Sequence, residues 1–212
     1  MTEPWKTEAY KAQTTKQFAA LGRFVQDFEQ MVGSVRFHLI MRLSGNSRGE
    51  QHFARAVFHH QALSAAPLLE IFRCFVAETL ELEGDANSPD ERKVTLEVAA
   101  HIDRRYRTLV EARNAILHAT WFIGWAGSGQ TDFSEMKGDK WTPASKGLKR
   151  KELPTSDVEL TALSQEATAV KSLIDRLAMC VLAPIRFNVL GNFTLEDGVW
   201  HPRQTASATP AS

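Results

Sequence analysis

Between about Thr14 and Leu43, ten apolar residues recur at helical spacing: Phe18, Leu21, Phe24, Val25, Phe28, Met31, Val32, Val35, Leu39 and Ile40. A stripe that long has to be buried against other apolar surfaces. Ser44-Gly45-Asn46-Ser47 ends the run with loop chemistry. A second helical stretch covers Gln51 to Leu82, where Pro67 forces either a kink or a division into two helices. Gly84 to Asn87 reads as a loop. Ser88-Pro89-Asp90-Glu91 is a capping box with proline at the first helical position, and the helix it opens is expected to run to about Ala119. A second box, Ser156-Asp157-Val158-Glu159, opens a last helix carrying Leu160, Leu163, Ala167, Val170, Leu173, Ile174, Leu177 and Val181, which ends or kinks near Pro184. The pattern predicts an all-α fold, a helical bundle of four to five long helices.

Between the two capped helices, Gly124 to Thr155 is rich in Gly, Ser, Asp and Lys and lacks a helical period. It is expected to form a loop with a short β-hairpin inserted before the last helix. Such long connections are often functional. A chain of 212 residues fits one domain. The expected organisation is an N-terminal arm over 1–13, a single helical domain over 14–200 with its insertion at 124–155, and a disordered polar tail over 201–212.

The formal net charge is zero, so nucleic-acid binding would need a local basic patch. The two cysteines, Cys74 and Cys180, lie among apolar residues and read as buried free thiols. The most apolar stretches are too short and too charged to span a bilayer, and no signal peptide is recognisable. The chain is expected to be cytoplasmic, without a membrane partner.

The chemistry concentrates in Glu111-Ala112-Arg113-Asn114-Ala115-Ile116-Leu117-His118. At about 100° per residue, Ile102, Tyr106, Leu109, Val110, Ile116 and Leu117 form one apolar stripe, and Arg113 falls in its middle. A guanidinium there needs a partner: an acid, a phosphate or a cleft at a subunit boundary. Arg107, Glu111, Asn114 and His118 follow at spacings of four, three and four on an adjacent face. Asn114 is placed to fix the tautomer of His118, and Glu111 to pair with Arg107 or act on Asn114. RNA carries its own nucleophile, the 2′-hydroxyl. An imidazole can move its proton, and an arginine can bind the phosphate oxygens. One arginine and one histidine supply half of an acid–base pair; a dimer axis would supply the other half.

The bare spacing is unspecific, since Arg55-Ala56-Val57-Phe58-His59-His60 matches it too. An Arg-Asn pair ending a late bundle helix is much rarer. On Arg113, Asn114 and His118 the chain resembles the HEPN superfamily, the higher eukaryote and prokaryote nucleotide-binding domains. Its signature is an arginine, a polar residue and a histidine four to six positions after the arginine. The resemblance covers about residues 14 to 185, specifically at the motif and only in architecture elsewhere. It implies a homodimer with both motifs at the interface, and a metal-independent endoribonuclease leaving a 2′,3′-cyclic phosphate. Arg113 and His118 would be catalytic, with Asn114 supporting them. It also implies toxin–antitoxin or phage-defence settings, with an antitoxin as a possible partner. Some members are non-catalytic modules that bind nucleotides or proteins. A third reading makes Arg113 a structural ion-pair member.

Arg107, Glu111, Lys149 and Arg150 are the candidate substrate-binding residues. Arg104, Arg105 and Arg107 lie one to two turns before the motif, where they can steer phosphates or simply face solvent. Lys146, Lys149, Arg150 and Lys151 lie near Trp141, a pairing that suits single-stranded nucleic acid but also an ordinary polar hairpin. Trp121 and Trp125 read as core or interface residues. Seven histidines show no ligand spacing, and no phosphate-binding glycine loop is present, so neither metal nor cofactor is expected.

Overall fold

Both capping boxes form as reciprocal pairs. Ser88 Oγ accepts from Glu91 N–H at 3.2 Å while the Glu91 carboxylate accepts from Ser88 N–H at 3.1 Å. Ser156 and Glu159 repeat this at 3.1 and 3.2 Å. Each pair satisfies donors that a helix N-terminus otherwise leaves open. The computed structural model describes residues 7–44, 48–60, 63–83, 88–123, 136–145, 147–152, 156–183 and 187–203. The fold is all-α in class. Its elements run α1 (Glu8–Leu43), α2 (Arg48–Phe58), α3 (Ala65–Glu83), α4 (Pro89–Leu117), β1 (Thr120–Ile123), β2 (Met136–Ala144), β3 (Gly147–Glu152), α5 (Asp157–Val181), α6 (Val189–Asn192), β4 (Phe193–Glu196) and β5 (Val199–Pro202).

Several boundaries differ from expectation for local reasons. Helix α1 begins at Glu8, inside the expected arm, because Thr7 Oγ1 caps it by accepting from Tyr10 N–H at 3.2 Å. The second helical stretch is two helices, but Pro67 is not the breakpoint. It occupies the first turn of α3, where its missing N–H costs nothing. The insertion contains the expected hairpin, β2 and β3, joined antiparallel with Trp141 opposite Arg150. Strand β1 adds a third strand, pairing Thr120 with Asp139. The expected loops at 45–47 and 84–87, residues 124–135 with Gly127-Ser128-Gly129, and Lys146 and Pro184 lie outside the described residues. A final hairpin, β4–β5, lies beyond the expected elements, with Asp197-Gly198 at its turn. Both residues have positive φ, 49° and 76°, as a two-residue hairpin turn requires. His201 and Pro202, assigned to the tail, therefore belong to a strand; residues 204–212 lie outside the described ones.

The chain divides into two compact units, 1–30 with 108–168 and 31–107 with 169–212, whose boundaries fall inside α1, α4 and α5. In the first unit Phe24, Phe28, Leu109, Ile116, Leu160 and Ala167 are buried. Ser164 hydrogen-bonds Asp27, and Lys16 Nζ lies 2.7 Å from Asp157, joining α1 to α5. The Lys16 hydrogen bond holds the Asp157 carboxyl below its ordinary range. In the second unit the stripes of α1, α3, α4 and α5 are buried, with Tyr106 fully so and donating to Ala65 O at 3.2 Å. Cys180 is buried, which pushes its thiol up to about 11. Cys74 is exposed, contrary to expectation, because it lies off the buried stripe of α3 marked by Leu68, Leu69, Phe72, Val76 and Leu80. Among the described residues no helix is long and apolar enough to cross a membrane.

Candidate functional site

The candidate motif lies at the C-terminal end of α4, in the first unit. The stripe that fixes its orientation is buried as expected at Leu109 and Ile116, whereas Leu117 is exposed at the helix end. Arg113 projects from the same side as this stripe but reaches its edge. Its side chain keeps 30% of its exposure and meets Glu29 of α1, with Nη2 3.1 Å from Oε1. The guanidinium carbon stands 5.6 Å from the centroid of the Phe28 ring, a cation–π distance. Nη1 donates to Asn114 Oδ1 at 3.3 Å. The third guanidinium nitrogen, Nε, is buried and unbonded among the described residues.

The partner that Arg113 requires is thus an acid, but not in a closed core. The Glu29 side chain keeps 47% of its exposure, so this carboxylate can turn to water at little cost. Glu29 was missed by the sequence reading. It is 84 residues away, and only the need for a partner announced it.

Asn114 and His118 are both exposed. The expected side-chain bond between them does not form. Asn114 turns its amide oxygen to Arg113, and its backbone carbonyl instead accepts from the His118 N–H at 3.3 Å. Helix α4 ends at Leu117, so His118 is the first residue beyond it. Trp121 stabilises this exit: its indole N–H donates 2.8 Å to Ile116 O, which also accepts from the Ala119 N–H at 3.3 Å.

The remaining candidates are dispersed. Arg107 belongs to the second unit, where Nε donates to Asp103 at 3.0 Å and Nη2 to Glu70 at 3.2 Å. Those bonds, Glu70 first, raise its already high pKa. It does not pair with Glu111, which is exposed. Arg105 meets His101 at 3.2 Å. Lys149 is exposed on β3 beside Arg150, whose side chain lies outside the described ones, and Trp141 is exposed on β2. The competing pattern, Arg55 with His59 and His60, is exposed at the end of α2 and has no neighbouring amide equivalent to Asn114. No group of three or more metal-ligating side chains occurs among the described residues.

No protein-family model matches this chain, and neither any curated protein nor any solved structure matches it.

Proposed function

We propose that this chain is a metal-independent endoribonuclease of HEPN type, acting as a homodimer with one motif from each copy at the active site. The observation that carries the reading is the end of α4. There a guanidinium anchored on Phe28 and bonded to Asn114 precedes an exposed imidazole by five residues. One His118 would take the proton of the RNA 2′-hydroxyl as its oxygen attacks phosphorus. The other would protonate the 5′-oxygen as the P–O5′ bond breaks, leaving a 2′,3′-cyclic phosphate and a 5′-hydroxyl. Arg113 would exchange Glu29 for a non-bridging phosphate oxygen and stabilise its growing charge. Asn114 would hold the guanidinium in position. Glu111, Lys149 and Arg150 are candidate contacts for flanking RNA, whereas Arg107 already has two acidic partners. Toxin–antitoxin or phage-defence settings, with an antitoxin protein as partner, follow from the resemblance alone.

A second reading is a non-catalytic HEPN-type module that binds a nucleotide or protein. The Glu29–Arg113 pair favours it, since a neutralised guanidinium contributes less to a phosphate site. Incubation of folded protein with RNA in EDTA separates the two. The catalytic reading expects cutting by wild type, and losses of about 10²–10⁴-fold for His118→Ala and about 10²–10³-fold for Arg113→Ala. Equal cutting by wild type and His118→Ala, or none by a folded dimer, would remove it.

A further inference from the structure

The second unit carries an open cavity of about 530 Å³ that is separate from the α4 motif. Its lining includes Asp175, Arg176 and Met179 of α5, Phe187, Pro202 of β5, and Arg203. The volume falls within the roughly 300–1,000 Å³ that small-molecule sites occupy. Two features make the cavity more than a surface dent.

The first is the pair of arginines. Asn192 fixes both: its Oδ1 accepts from Arg176 Nη1 at 3.0 Å, and its carbonyl accepts from the Arg203 backbone N–H at 2.8 Å. The Arg203 Nε is tied to Phe193 O at 3.1 Å. Asn192 is itself held, with Nδ2 donating to Asn188 O at 2.7 Å. Both guanidiniums are positioned by neutral acceptors, and neither is ion-paired among the described residues. The one carboxylate among the described lining residues, Asp175, is already engaged. His38 Nε2 lies 2.9 Å away, Lys171 Nζ 2.7 Å away, and Ser34 donates to it. The cavity therefore presents net positive charge with hydrogen-bond donors to spare. The second feature is its apolar wall. Phe187 is 50% exposed and Met179 41%, so two apolar side chains in the lining remain accessible beside the cations.

We infer that this cavity binds a nucleoside monophosphate, with the phosphate between Arg176 and Arg203 and the base against Phe187 and Met179. Two pre-positioned guanidiniums suit the three oxygens of a phosphate monoester, and an accessible aromatic side chain suits a flat ring. The assignment does not depend on the ribonuclease reading.

Titration calorimetry on the full chain with adenosine 5′-monophosphate, adenosine and inorganic phosphate tests it. The monophosphate is expected to bind at least tenfold more tightly than either fragment, each of which keeps only half of the contacts. Arg203→Ala and Arg176→Gln should each weaken binding by about tenfold or more. Phe187→Ala should do so with adenosine monophosphate while leaving weak inorganic phosphate binding unchanged. Arg113→Ala, which alters the other site, should bind like wild type. Arg203 is exposed, so its variant remains informative even where Arg176→Gln fails to fold. Absence of binding at millimolar nucleotide, undiminished binding by Arg203→Ala, or loss of binding in Arg113→Ala would overturn the inference.

Discussion

Glu29 decides what Arg113 is for. An exposed ion pair contributes about 0–1 kcal/mol, so Glu29→Gln should barely shift thermal stability. Its effect on RNA should be larger. With the competing carboxylate gone, phosphate no longer has to displace it, and RNA is expected to bind several-fold more tightly in a filter or anisotropy assay. Unchanged or weaker RNA binding would favour the structural role for Arg113. Thiol chemistry offers a second check. Cys74, exposed, should react with a thiol reagent under native conditions, while buried Cys180 with its raised pKa should react only on unfolding. At this scale the sequence read well where the backbone dictates position and poorly where a tertiary neighbour does. An inward-leaning Arg113 followed from helical spacing. Glu29 and Phe28, brought from α1, did not. Nor did the bond from Arg113, which takes the Asn114 amide oxygen expected to meet His118.

Helix starts were legible because capping is local chemistry. Ser88 and Glu91, like Ser156 and Glu159, lie three residues apart and need no distant partner. Removing such a cap costs about 1 kcal/mol, so Ser156→Ala should lower the melting temperature by a few degrees, read by circular dichroism. No change would mean that the box is not contributing. The helix end after the motif has a different support. Trp121→Phe removes the donor to Ile116 O while keeping the ring. It should loosen the turn that carries His118, seen as faster hydrogen exchange at His118 and Ala119. Strands were less legible. The β2–β3 hairpin announced itself by losing the helical period, but β4–β5 is short and follows four-residue α6, so its one signal, Asp197-Gly198, lay in a segment too brief to show alternation.

Across the whole molecule, formal charge sums to zero, yet individual charges are placed with consequence. Burial alone would raise the Asp175 pKa. Hydrogen bonds from His38, Lys171 and Ser34 outweigh it and hold the carboxyl well below its ordinary value. A carboxylate depressed in the folded state stabilises it fully above the unfolded value of about 3.9 and loses that contribution as pH falls toward the folded value. Wild type should therefore melt above Asp175→Asn at pH 5 to 7, and the gap should shrink below about pH 4. A gap independent of pH would show that the carboxylate's charge is not what stabilises the bundle. The all-α class was legible because four long amphipathic stretches leave few alternatives. The division into two units was not, because its boundaries fall within continuous helices whose periodicity never breaks. For the ribonuclease reading, the most direct measurement is the chemistry of the product ends. RNA incubated with wild type in EDTA is expected to yield fragments ending in 2′,3′-cyclic phosphate beside fragments starting with 5′-hydroxyl, none when the nucleotide 5′ of the cut is 2′-deoxy, and almost none with His118→Ala. Fragments ending in 3′-hydroxyl, or cutting that survives the 2′-deoxy substitution, would contradict it.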